Sequence, residues 1–381
     1  MTYENNNKVF DAESYSLHNL YLIEGGVAGF RIPLYQRQYD WSEDNIARIF
    51  EDLFSGLYWC QKDPDSLTFI GTIIVQIEEE TKERNFSGRS LCIIDGQQRL
   101  TTISLVASIL YDKIKQIRQL LKNTNEFEER QHWPIIRDWI YEEIENTLDQ
   151  LLDLIFGSLK VGGGNYVKFP RLVRQEEDFR AKDPKDMEYR SNIAKYLFEF
   201  SKFVSSQIEG SFNYNFSENT RDEIVFQRNI NAIKRQLKFE NFEEDTSITL
   251  LDKSDFEKKG PRKLFKKLPI SDIDKTNKIL SFPKNNNERI LDIFRLLAFS
   301  NYLMNYVQIT IVKTRQEKYA FDIFDSLNST GEPLTAIQTF KPQVIRDEEE
   351  NKTYRNSPSE QYFNIIEDYI NYGIYYRESI K

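Results

Sequence analysis

Histidine and cysteine are almost missing from this sequence: among 381 residues only His18, His132, Cys60 and Cys92 occur. No two of them are spaced like zinc ligands or a thiol–imidazole pair, which argues against zinc sites and His-based triads. Any catalysis is left to carboxylates, amides, Lys and Arg, with Mg²⁺ as the fitting ion. Long apolar runs are missing too. The best, Phe69 to Ile77, is interrupted by Thr72 and Gln76 and is far shorter than the ~20 residues of a bilayer span. The opening stretch, Met1-Thr-Tyr-Glu-Asn-Asn-Asn7, has neither a basic n-region nor an apolar h-region, so a cytoplasmic protein without membrane attachment is expected.

What the sequence does hold is aromatic and charged. With 27 Phe, 21 Tyr and a hydrophobic fraction of 40%, there is side-chain volume for a core despite 29% charged residues, which rules out wholesale disorder. At roughly 100–200 residues per domain the length suggests two or three domains. The formal charge of −9 argues against a general nucleic-acid coat, although a local basic stripe can still grip phosphates.

Residues 29–110 read as mixed α/β. Gly29–Pro33 is expected as a short strand and Tyr35–Trp41 as the loop after it. Ser42 then caps a helix that carries two acids in its first turn and buries Ile46, Phe50, Leu53 and Leu57. Leu67–Ile77 and Leu91–Ile94 are expected as two strands of a long-looped hairpin, with Gly71 placed where a side chain would obstruct a close neighbour. The helix that follows repeats apolar residues at Leu100, Ile103, Ala107, Leu110, Ile114, Ile117 and Leu121, which predicts one buried face. Residues 112–299 read as mainly helical, with a strand around Tyr166–Val173. Val307–Lys313 alternates as a strand. Gln316–Leu327 reads as a helix stopped at Asn328–Gly331, and Thr335 with Gln338 reads as a capping box.

Four motifs carry chemistry. In Ile94-Asp-Gly-Gln-Gln-Arg-Leu-Thr-Thr102, Gly96 permits a tight strand-to-helix turn whose free N–H groups suit an anion. Arg99 adds a planar fork for phosphate, Asp95 suits Mg²⁺ or a ribose hydroxyl, and Gln97 or Gln98 could orient a water. The same residues equally describe an ordinary strand-to-helix turn with Asp95 as its cap. In Ile32–Trp41, Arg37 could meet a phosphate beside Gln36 while Tyr35 or Trp41 stacks on a base; a Trp41 staple and a surface Arg37 ion pair explain it without a ligand. Asn328-Ser-Thr-Gly331 with Lys341 could form a second polar loop, or simply a helix stop. Lys258, Lys259, Arg262, Lys263, Lys266 and Lys267 form the one dense basic run, which reads as a solvated loop or as a DNA-backbone contact. Gly162-Gly-Gly164 lacks the ending of a P-loop.

Taken in order, Ile32–Trp41, Phe69-Ile-Gly71, Ile94–Thr102 and Phe324-Asp-Ser-Leu-Asn-Ser-Thr-Gly-Glu-Pro-Leu334 resemble the GmrSD-type restriction endonuclease N-terminal domain family, over about residues 15–345. The resemblance implies an α+β protein with a small mixed-sheet, ParB/sulfiredoxin-like nucleotide-binding domain (1–111 and 300–345). A large helical insertion would occupy 112–299, and 346–381 would begin a C-terminal region or linker. It also implies a nucleoside triphosphatase that acts as a sensor in modification-dependent anti-phage restriction. The expected catalytic residues are Asp95, Gln97, Gln98 and Arg99, with Asp95 on a divalent cation such as Mg²⁺. Nucleotide contacts are expected from Tyr35, Gln36, Arg37, Trp41, Gly71, Gly96, Thr101, Thr102, Asn328, Thr330, Gly331 and Lys341. Expected partners are a nucleoside triphosphate, modified phage DNA, a second copy of the chain, and an HNH nuclease supplied by another subunit or by a missing C-terminal domain. A non-catalytic module that senses modified DNA, and a small-molecule phosphotransferase, are the rival readings.

Overall fold

Ser42 starts the first long helix as its side chain predicts. Its Oγ accepts from the Asn45 N–H at 3.2 Å while the Asn45 side chain accepts from the Ser42 N–H at 3.0 Å, a reciprocal cap that satisfies two orphan donors. Glu43 and Asp44 add negative charge to the first turn. This helix, α1 (Glu43–Lys62), buries Ile46, Phe50, Leu53 and Leu57. The computed structural model describes residues 10–33, 36–63, 65–77, 90–123, 133–160, 166–174, 178, 188–206, 209–216, 220–238, 284–314, 319, 344–345, 348, 357–363 and 365.

Among these residues the strands are β1 (Phe10–Ser16), β2 (Gly29–Ile32), β3 (Thr68–Ile77), β4 (Ser90–Asp95), β5 (Phe156–Lys160), β6 (Tyr166–Pro170), β7 (Leu172–Arg174) and β8 (Val307–Thr314). A 3-10 segment, Leu17–Gly25, follows β1. The remaining helices are α2 (Gln97–Asn123), α3 (Trp133–Ile155), α4 (Asn192–Ser205), α5 (Arg221–Gln236) and α6 (Lys284–Asn305). Six strands form one sheet in the order β1-β8-β3-β4-β2-β7, and β5 and β6 form a separate antiparallel pair. β1/β8 and β3/β4 run antiparallel, whereas β8/β3, β4/β2 and β2/β7 run parallel. The protein is therefore an α+β fold on a mixed sheet. Among the described residues no helix is long and apolar enough to cross a membrane.

The expected β3/β4 pairing is present, and β8 joins the same sheet as β4 with β3 between them. The helix α2 departs from the expected single apolar face. Residues 100–111 are buried on every side, Thr101, Thr102, Ser104 and Ser108 included, because α3, α4, α5 and α6 all pack around it. The expected border at 111/112 consequently falls inside a continuous helix. One hydrophobic cluster runs from Leu17 through Ile140, Leu197 and Ile233 to Ile311, so the described residues between 112 and 299 share their core with the sheet. They also supply β7 to its edge. The strand β1 was not readable: its alternation Phe10-Asp11-Ala12-Glu13 stops at Ser14 and is mostly exposed, as an edge strand allows.

Candidate functional site

β4 ends at Asp95, Gly96 turns the chain at φ +95°, and α2 starts at Gln97. The Leu100 N–H closes the first turn onto the Gly96 carbonyl at 3.1 Å, so the N–H groups of Gln97, Gln98 and Arg99 precede the helix's own bonding. No acidic residue stands in that first turn, and the positive end of this 27-residue helix is not neutralised from within.

Arg99 reaches back across β3. Its Nη1 donates to the Thr72 carbonyl at 2.9 Å, beside a register slip in the β3/β8 pairing between Phe69 and Thr72. Gly71 sits in that slip at φ +112°, and a Cβ there would lie 2.8 Å from the Arg99 Cζ. Gly71 is thus the residue over which the guanidinium lies, which gives the close neighbour foreseen from the sequence an identity. Burial holds the Arg99 guanidinium below its ordinary value, with the Asp95 carboxylate opposing. Burial pushes the Asp95 carboxyl up, opposed by the Gly96 N–H and by Arg99 and Arg37. Asp95 therefore lies within the field of two arginines that come from different motifs.

The loop after β2 is fastened to this turn by amides. Gln36 Nε2 donates to the Ile94 carbonyl at 2.6 Å, Gln97 Nε2 to the Arg37 carbonyl at 2.7 Å, and Gln98 Nε2 to the Gln38 carbonyl at 2.8 Å. The Asp40 N–H returns a bond to Gln98 Oε1 at 3.1 Å. Thr102 donates its single hydroxyl proton to the Gln98 carbonyl, so the Tyr39 hydroxyl, 2.8 Å away, donates to Thr102. Gln97 and Gln98 are buried, and a water-orienting role for either would require these bonds to break. Thr101 and Thr102 lie in the same buried layer. Trp41 packs against the hydrophobic core, and its carbonyl accepts from Asn229 Nδ2 at 2.8 Å and Arg228 Nη2 at 3.3 Å. Arg37 remains half-exposed, 3.2 Å from Asp40.

The structure thus brings Gln36, Arg37, Gly71, Asp95, Gly96, Gln97, Gln98 and Arg99 to one corner. Trp41, Thr101 and Thr102 support that corner from the core side. Tyr35, Asn328, Thr330, Gly331 and Lys341, and the basic residues Lys258, Lys259, Arg262, Lys263, Lys266 and Lys267, lie outside the described residues. Sequence reasoning missed Arg174, whose guanidinium donates to the Gln36 and Arg37 carbonyls, and Asn229, which is fully buried. No motif announced either. Between the loop, α2, α4 and α5 lies a small recess lined by Gln38, Tyr39, Gln97, Arg174, Asn192 and Asp222 among others.

Because burial raises the Asp95 pKa, the folded protein holds this proton more tightly than the unfolded chain does. Its contribution to stability is present below the unfolded value and is lost as pH rises through the folded one. Asp95→Asn should therefore raise the thermal midpoint at pH 7, with the gain shrinking towards pH 4. Thermal unfolding of both proteins across that range checks it, and a variant less stable than wild type at pH 7 would contradict it.

A mixed sheet that ends in a glycine turn, with a bare helix start and Arg99 and the Arg37 loop beside it, defines an α+β protein with a corner suited to an anion. Residues 17–345 match the model of the GmrSD restriction endonuclease N-terminal domain, and the chain belongs to that family. It is a component of a restriction system. No curated protein matches it.

Proposed function

We propose that the corner at Asp95–Arg99 binds a nucleoside triphosphate and hydrolyses it, and that this turnover gates an HNH nuclease in the restriction of modified phage DNA. The observation that carries the reading is the open start of α2 behind the Gly96 turn, with the Arg99 guanidinium laid over Gly71 on one side and the Arg37 loop fastened to the helix start by Gln97 on the other. Helix N–H groups and planar guanidinium forks suit phosphate oxygens. Arg99, with its guanidinium laid over Gly71 and one nitrogen on the Thr72 carbonyl, would receive phosphate in a fixed orientation. Arg37, on the exposed face of the loop, would close on it from the other side by leaving Asp40.

Among the described residues no three His, Cys, Asp or Glu side chains gather as a metal site. Mg²⁺ that arrives with a nucleotide needs only one or two carboxylates beside the phosphates, and Asp95 fits that requirement. When bound there, the ion would neutralise phosphate charge. Gln97 and Gln98 act in this reading as positioning residues, since both hold the loop. That same engagement favours a second reading, a sensor that binds nucleotide and modified DNA without turnover. Calorimetry with each nucleotide, paired with phosphate release, separates the two: binding without release selects the sensor, and no binding removes both.

The 381-residue chain itself should leave DNA intact. Its two histidines, His18 and His132, stand 114 positions apart in the sequence, unlike the clustered imidazole base and metal ligands of an HNH nuclease. Incubation with glucosylated duplex DNA and Mg²⁺ is the check, and nicking that follows this chain through chromatography would contradict it.

A further inference from the structure

We propose that Arg174 is a positioning residue that sets Arg37 against the start of α2; the proposal rests on the nucleotide reading of that corner. Arg174 is the last residue of β7 and stands in register with Ile32, four positions before Gln36. Its side chain is buried at 5% exposure. Nη2 donates to the Gln36 carbonyl at 2.9 Å and Nη1 to the Arg37 carbonyl at 3.2 Å. The Arg37 carbonyl also takes Gln97 Nε2 at 2.7 Å. The backbone of Arg37 is therefore pinned from two sides, by α2 and by β7, while its side chain stays half-exposed.

The clamp is itself anchored. The Arg174 N–H donates to Asp178 Oδ2 at 2.7 Å. The buried Asp178 carboxylate also accepts the N–H groups of Arg190 and Ser191 at 2.8 and 2.9 Å and the Ser191 hydroxyl at 2.6 Å. Ser191 in turn caps α4 by accepting from the Ala194 N–H at 3.3 Å. A continuous chain of hydrogen bonds thus runs from the start of α4, through Asp178 and Arg174, to the residue meant to close on the ligand. A planar fork spans two successive carbonyls, which a lysine ammonium, as a point charge, does not reproduce. The middle of the chain is in this way part of the nucleotide corner.

The experiment is a cycle of variants read by titration with inorganic triphosphate. Arg174→Lys and Arg37→Ala should each weaken binding about ten-fold, and the double variant should be no weaker than the singles, because one acts through the other. Combination with Arg99→Ala should multiply the losses. Hydrogen exchange without ligand provides a readout independent of the nucleotide: amides of residues 36–41 should exchange about ten-fold faster in Arg174→Lys, with α2 and α4 unchanged. Arg174→Gln, which can still donate to one carbonyl, serves if the lysine variant does not fold. Losses that multiply between Arg174 and Arg37, or loop exchange at the wild-type rate, would overturn the proposal. Wild type that binds no triphosphate would sink the nucleotide reading and the positioning role together, and accelerated exchange would then mark only a structural clamp.

Discussion

Gly71→Ala should damage stability and ligand binding at once. The residue holds φ +112°, where an L side chain costs of order 1–3 kcal/mol. The added methyl would also lie 2.8 and 2.9 Å from Cζ and Nη2 of Arg99, so the guanidinium must leave the Thr72 carbonyl or the strand must open. A hydrogen bond from a charged donor contributes about 1.5–3 kcal/mol, and together the two effects predict a loss of at least ~2 kcal/mol in urea unfolding. In an Arg99→Ala background the steric part disappears and only the backbone part remains. Equal losses in both backgrounds would show that Gly71 is there for the backbone alone.

Arg99→Ala should weaken triphosphate binding by roughly ten- to a hundred-fold, because one charged hydrogen bond to phosphate contributes about 1.5–3 kcal/mol. The helix start and Arg37 remain, which is why binding is weakened rather than abolished. The fold should survive: the Thr72 carbonyl keeps its strand neighbours, and the half-buried guanidinium carries a desolvation penalty that the variant removes. Calorimetry on a variant with a wild-type circular dichroism spectrum is the check. Equal affinity in both proteins would take Arg99 out of the site.

The strongest local signals in the sequence correspond to what the structure holds. Ser42 with two following acids announced α1, and the alternation of Val307–Lys313 announced a strand, which lies in the same sheet as Leu91–Ile94. The adjacency of strand, glycine and helix at Asp95–Gln97 was equally plain. Less legible was what an amide does. A glutamine beside a glycine turn looks the same in sequence whether it orients water or holds a loop, and here Gln36, Gln97 and Gln98 all bond to backbone carbonyls 58 to 60 residues away in the chain. Trp41 was ambiguous for a similar reason, since an aromatic residue before a helix suits a base or a core equally, and the core holds it. Arg174 could not be singled out: β7 is three residues long, too short for any periodicity, and its register with β2 exists only in three dimensions. The extent of the shared core was hidden for another reason, because the apolar stripe of α2 marks one face only and Thr101, Ser104 and Ser108 lie off it. In the structure Ser104 and Ser108 donate back to carbonyls of their own helix at Leu100 and Leu105, at 2.9 and 2.8 Å, which lets α3, α4 and α5 close over the rest of the helix.

Phosphate release tests the central claim most directly. The purified chain would be incubated with Mg²⁺ and each of the four nucleoside triphosphates, with and without glucosylated phage DNA, beside Arg99→Ala. Turnover of at least one nucleotide, altered by the modified DNA and lost in the variant, is the predicted result. Release that is the same in Arg99→Ala as in wild type, or no release with any of the four nucleotides, would contradict it.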